Sequence, residues 1–395
     1  MHRDTEYVST DILNDDLVKI FSPFHIVQKL LGVCRVDIRN KFVTPPTVLQ
    51  KIHTCCNLLL ATILLHKMYH TYVQKFADFM QHYSFIQLML YLHWIICVLN
   101  IYNLRFVNKD DNVELFLKMH RVDSLMLIDK NRYILSATYK TNRNTIFALG
   151  AAAVALSVLE IFDGLDLLYM SIFSVGYIQM TFMLEFMHFS CIMHYFSLRM
   201  RFLNAIILNH IKDEFTLISF TLTNEMMIKQ SAAEAHDFKY CNIDIYLKEL
   251  IHCFYKFQNL YQYQILIFFM RLFFSCIFYI HFVIVAVNDN TTRGASNTIY
   301  VILCSIDFIL ILMACTRCET FFREAQLLKH FSIVILSIYH DGPLRKKAKR
   351  IFKILEENPP IFSVYHMWNL KHETVVQLAG VLTTVFFNIL QFHYL

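Results

Sequence analysis

Charge is scarce in this chain, and so are the residues that break helices. Only 17 % of its 395 residues are Asp, Glu, Lys or Arg, against about 25 % in ordinary soluble domains. Its 7 glycines and 6 prolines are too few for a collagen-like chain or a turn-rich barrel. No segment shows the period-two alternation of outer-membrane strands. The first residues, Met1-His2-Arg3-Asp4-Thr5-Glu6, lack the apolar core and cleavage site of a removable signal peptide, so the first apolar span is expected to act as the insertion signal. Internal repeats and low-complexity tethers are missing too.

What is present is apolar surface, with 56 % of residues hydrophobic and 15 % aromatic. It is gathered into nearly charge-free blocks of roughly 18–22 residues, the length a helix needs to cross a hydrocarbon core about 30 Å thick. The fold class this predicts is all-α, a polytopic seven-helix membrane protein. The spans are expected at 52–69, 83–101, 145–162, 167–196, 261–287, 298–316 and 374–392. The fourth exceeds what a bilayer needs and is expected to tilt or to project into the cytosol.

Lysine and arginine set the orientation. Of 36 such residues, 32 fall in the segment up to Lys51 and in the loops after spans two, four and six. The opposite loops hold Lys67, Lys75 and Arg293, and Arg271 lies inside a span. Short basic segments stay in the cytosol, so the amino terminus is expected inside and the carboxyl terminus outside. The one glycosylation sequon, Asn290-Thr291-Thr292, falls in a loop expected to be outside, which makes Asn290 a candidate acceptor. The resulting organisation is a cytosolic amino-terminal segment (1–51), spans one to six with their loops (52–316), a cytosolic loop and anchor region (317–373), and the last span with a short tail (374–395).

This orientation excludes a G-protein-coupled receptor, whose amino terminus is outside. The 11 cysteines leave none in an outer loop for an extracellular disulfide. Cys315 and Cys318 form a C-x-x-C with no second pair, which fits packing better than zinc or redox chemistry. His66 and His70 stand one turn apart but lack further ligands for a metal. No set of His, Asp and Glu gathers at one depth, so neither enzymatic chemistry nor a cofactor is expected. The basic run Arg345-Lys346-Lys347-Ala348-Lys349-Arg350 reads as a surface drawn to anionic inner-leaflet lipid rather than to nucleic acid.

The last span carries the clearest pattern. Gln377, Gly380, Thr384, Asn388 and Gln391 recur at spacings of 3 and 4 and so form one stripe on a helix of Leu, Val, Ile and Phe. Lipid penalises amides that face it, so the stripe must face protein or water. Hydrogen-bonded packing between helices is the commoner arrangement, and the wall of a pore is the other. Two intramembrane charges add to this. Arg271 and Asp307 each lie about nine or ten residues into their spans, roughly 14–16 Å deep. An unpaired charge there costs about 3 kcal/mol or more, so the two are expected to pair.

The carboxyl end resembles the signature of the insect gustatory receptor family: Thr-Tyr, five apolar residues, then Gln-Phe. Here Thr384 and Val385 precede Phe386 to Leu390, followed by Gln391 and Phe392, with Val385 in place of the usual Tyr. Phe21-Ser22-Pro23 leading to Lys29-Leu30-Leu31-Gly32-Val33 is similar to that family's amino-terminal region, and Pro360-Ile361-Phe362-Ser363-Val364 to its approach to the final helix. The resemblance implies a ligand-gated, non-selective cation channel in the plasma membrane of chemosensory neurons. It implies a homo- or hetero-tetramer with other gustatory receptor subunits, four last helices around one pore, and a gate at Gln391 and Phe392. Cytosolic extensions of spans four to seven would join the subunits, and each subunit would bind a small-molecule tastant from outside. Phe386 stands where sugar-responsive members carry an acid, which favours bitter or other plant compounds. The odorant receptor family and, in another class, a secondary transporter are the alternatives; the missing repeat counts against the transporter.

Ligand contacts are placed by depth alone. Tyr83, Gln87, Tyr91 and Trp94 share a face of span two's outer half, Tyr169, Phe173 and Tyr177 follow at i, i+4 and i+8 in span four, and Tyr300 opens span six. Aromatic rings with one polar handle suit small plant compounds, though helix packing explains any single ring as well.

Overall fold

The computed structural model describes residues 12–75, 80–128, 131–161, 172–214, 241–289 and 294–394. It is all-α, with seven long helices and three short ones among these residues. The long helices are α2 (Val48–Lys75), α3 (Met80–Tyr102), α5 (Arg132–Ile161), α6 (Tyr177–Glu214), α7 (Ile243–Asp289), α8 (Gly294–Ile338) and α10 (His372–Tyr394). The short ones are α1 (Asp15–Leu31), α4 (Lys109–Leu125) and α9 (Pro343–Glu357). Each expected span falls on one long helix, in order, with residue 162 of the third and 167–171 of the fourth outside the described residues. Val48–Lys67 and Ile243–Phe278 are, among the described residues, long and apolar enough by themselves to cross a membrane.

Three helices run far beyond a bilayer. α6, α7 and α8 have 38, 47 and 45 residues, which at ~1.5 Å per residue is about 57, 70 and 68 Å. The described parts of the stretches 197–260 and 317–373, expected as loops, are therefore largely helix. α6 continues to Glu214, α7 begins at Ile243, and α8 runs unbroken to Ile338 before α9. α6 packs mainly along α8, α9 lies on α8 and α7, and α4 lies on α7. Aromatic layers bind this part: Phe189 stacks on Phe257 at 5.3 Å, Phe196 meets Phe254 edge-on at 5.7 Å, and Phe254 meets Phe321 at 4.8 Å. Such rings contribute beyond their buried area because edge and face carry opposite partial charge.

The amino-terminal segment, from Ile12 onward, is built into the body. α1 starts after Asn14 with Asp15 and Asp16 in its first turn, where the helix dipole favours negative charge. It ends at Gly32, whose φ of +72° closes the helix in the left-handed conformation. A Cβ at Gly32 would also stand 2.9 Å from the Asn57 amide nitrogen, so glycine answers both demands. A hairpin of β1 (Asp37–Arg39) and β2 (Phe42–Thr44) follows. A second small hairpin, β3 (Ser363–Val364) with β4 (Trp368–Asn369), precedes α10.

Candidate pore helix and buried charge clusters

α10 is tied down at its base and little covered above it. The Thr374 hydroxyl donates to Asn369 O at 2.6 Å, and the His372 amide donates to Glu319 at 3.1 Å. Val375 is buried; beyond it, among the described side chains, Ala379 is half-buried and so are Leu378, Leu382, Val385 and Ile389. The last four recur at spacings of 4, 3 and 4, one docked row on the helix. The polar stripe is turned about 130° from that row. Gln377, Gly380, Thr384, Asn388 and Gln391 are all exposed. The Thr384 hydroxyl bonds back to Gly380 O at 2.9 Å and Gln377 reaches Glu373 at 3.4 Å, so both stay on their own helix. Among the described residues, packing against another helix of the same chain does not account for the stripe. Of Phe392 only the helical backbone is described.

Arg271 and Asp307 meet between α7 and α8, with Arg271 Nη2 3.1 Å from Asp307 Oδ2 and both residues buried. α6 supplies a third member absent from the sequence reading. The Gln179 amide donates to Asp307 Oδ1 at 3.2 Å while its oxygen accepts from Arg271. The Arg271 guanidinium also lies 4.4 Å from the Phe182 ring centroid. One cluster thus joins three long helices.

Two further clusters were not legible in the sequence. Arg35, 1 % exposed, sends Nε and Nη2 to Glu185 Oε2 at 2.9 and 2.5 Å, Nη2 to Gln264 at 2.5 Å and Nη1 to Asn112 at 3.1 Å. Its guanidinium lies 4.1 Å from the Tyr261 ring centroid. Gln28 reaches the other Glu185 oxygen at 3.4 Å. The cluster therefore connects the amino-terminal segment to α4, α6 and α7. The adjoining void, lined by Asn100, Phe186, Tyr261 and Phe268 among others, measures about 10 Å³, room for one water and not for an organic ligand. The second cluster is Arg199, bound to both Asp123 oxygens at 3.0 and 2.9 Å, with Tyr195 donating to Asp123 at 2.9 Å. Near the first, His25 lies against Cys34, 3.3 Å from Nδ1 to Sγ. Burial, and then the Lys29 charge, hold His25 down to about 4, against the opposing pull of Asp37.

The expected ligand contacts scatter. Tyr91 is half-buried with its hydroxyl 3.2 Å from His66, and Trp94 is buried. The Tyr177 hydroxyl donates to Leu31 O at 3.2 Å. That sets it against the segment expected on the cytosolic side, not in an outer pocket. Tyr300 is helical with its side chain outside the described residues. Tyr169 and Asn290 lie outside them altogether, as do the side chains of Tyr83, Gln87 and Phe173. The His66 and His70 rings meet edge-on at 4.6 Å, and no group of three metal-ligating side chains gathers among the described residues. Cys315 and Cys318 are buried and free.

The basic run differs from the expectation of a purely lipid-facing surface. On α9, Arg345 donates to Leu336 O and Tyr339 O at 2.8 and 2.7 Å, satisfying carbonyls at the end of α8. Lys347 donates to Cys241 O at 2.7 Å, and Arg350 pairs with Asp244 at 2.8 Å. Half of the run is thus internal fastening.

No family model and no curated protein matches this sequence. Solved structures do. An insect olfactory receptor, OR5 from Machilis hrabei, in complex with eugenol superposes with a TM-score of 0.62 at 11 % identity, covering 95 % of this chain and 100 % of that one. The same receptor described without eugenol gives 0.53 at 12 % identity, with the same coverage. The likeness extends over nearly the whole of both chains at very low identity, so it is one of fold: the chain has the fold of the insect olfactory receptors.

Proposed function

We propose that this chain is a subunit of a ligand-gated cation channel of the insect chemosensory type, a multi-pass protein of the plasma membrane. The observation that carries the reading is α10: its amide and hydroxyl stripe is exposed in a single chain while the rest of the helix is apolar. Copies of such a helix around an axis would give the stripe water to face, which lipid does not offer. Four copies would make a pore with Gln377, Thr384, Asn388, Gln391 and Phe392 along it. The extended ends of α6, α7 and α8, with α9, are suited to hold the subunits together. The fold it shares with a receptor solved in complex with eugenol supports a small organic ligand.

Within that class we favour a gustatory receptor, because Thr384, Gln391 and Phe392 keep the family's carboxyl-terminal spacing. Tyr91, Trp94, Tyr169 and Tyr300 remain candidate contacts for a bitter or other plant compound. Expression in a heterologous cell with single-channel recording tests the proposal. Ligand-evoked unitary currents are expected, and Gln391→Ala should change conductance or gating. Saturable uptake without unitary events would identify a transporter instead.

A further inference from the structure

Of the 11 cysteines, only Cys55 and Cys56 stand exposed; the others are buried or half-buried. They are adjacent on α2, and the rotation of that helix is fixed by its other side. Thr54 and Ala61 are buried, the Thr54 hydroxyl donates to Gly32 O at 2.6 Å, and the Asn57 amide donates to Leu31 O at 3.2 Å. The two thiols therefore point away from the body of the chain. Beyond them Leu59, Leu60 and Ile63 are 62, 50 and 56 % exposed. They stand three, four and seven residues after Cys56, so one apolar strip runs from the thiols along the span. Lys51, four residues before Cys55, has its ammonium 5.8 Å from the Phe106 ring centroid. A lysine at the start of a span marks the headgroup level, which puts the thiols about 6–7 Å further in.

We propose that Cys55 and Cys56 are S-acylated by long-chain fatty acids, the acyl chains lying along Leu59, Leu60 and Ile63 in the inner leaflet. Juxtamembrane cysteines are the sites of reversible S-acylation, and here a pair is presented outward beside a ready apolar track. The cysteine sulfur attacks the thioester carbonyl of a long-chain acyl-coenzyme A. The carbonyl–sulfur bond to coenzyme A breaks, the released thiolate takes up the proton given by the cysteine, and no redox partner is needed. An exposed cysteine that is merely a small lipid-facing residue is the competing account. The proposal rests on the cytosolic placement of the start of α2.

The test uses the full chain expressed in insect cells. Free thiols are blocked under denaturing conditions, thioesters are cleaved with hydroxylamine, and the exposed thiols are mass-tagged. One or two hydroxylamine-dependent tags are expected in the native sequence, one at most in Cys55→Ser or Cys56→Ser, and none in the double variant. Absence of tags in the native sequence, or their persistence in the double variant, overturns the proposal. Labelling with a membrane-impermeant maleimide separates the causes of failure. Thiols at 55 and 56 reached only after permeabilisation, without hydroxylamine, are free and cytosolic, which removes the acylation alone. Thiols reached on intact cells remove the orientation as well.

Discussion

Replacing Arg35 tests whether the amino-terminal segment is a structural part of the helical body. Arg35 is 1 % exposed and Glu185 4 %, so Arg35→Met keeps most of the stem's packing but strands a buried carboxylate. Removing one partner of such a pair costs about 3–5 kcal/mol, and Glu185→Leu should cost as much by stranding the guanidinium. The double variant Arg35→Met/Glu185→Leu removes both charges. It leaves the Asn112 and Gln264 oxygens without their donor and the Gln28 amide without its acceptor, at about 0.7 kcal/mol each, so roughly 2 kcal/mol is expected. Simple addition of the single effects would give about 6–10 kcal/mol, so the pair should show a coupling of at least ~4 kcal/mol. At ~2 °C per kcal/mol, each single change should lower the thermal midpoint of the detergent-solubilised chain by about 6–10 °C and the double by about 4 °C. Fluorescence-detected size-exclusion after heating measures this. A double variant that melts at the sum of the two single shifts would refute the reasoning, because the charges would then not be desolvated together.

The other expectations are shorter. Arg271→Met should reduce folded protein at the cell surface by stranding Asp307, at about 3–5 kcal/mol, and adding Asp307→Leu should restore part of it; surface biotinylation reads both, and no restoration would deny the pairing. His25 is held at about 4 in the folded chain against 6.5 unfolded, so the unfolded chain binds the extra proton between those values. Stability should therefore be full above pH 6.5 and decline as pH falls towards 4. His25→Gln should flatten that part of the melting profile, and an unchanged slope would assign the decline to other groups. Asn290→Gln should remove an endoglycosidase-sensitive mass shift if the loop between α7 and α8 is outside; a native chain without any shift would withdraw that support for the orientation.

The class of the molecule was written in local composition. Apolar blocks of helical length fixed the number and order of the long helices, because each block must satisfy its own backbone in lipid. The α10 stripe was equally local, since Gln377 to Gln391 repeat at the helix period and any straight helix aligns them. Arg271 and Asp307 could be matched because both are rare intramembrane charges at countable depth. Tertiary structure alone decided the rest. Arg35 and Glu185 are 150 residues apart, beyond the reach of any local pattern, and only the fold of α1 and its hairpin against α6 brings them together. Depth counting could not show that the Tyr177 hydroxyl meets the Leu31 carbonyl, because that contact depends on where the amino-terminal segment packs. Whether the polar stripe was covered could not be read from α10 itself: exposure depends on which neighbours the other helices bring, and Leu378, Leu382, Val385 and Ile389 took the docked row instead.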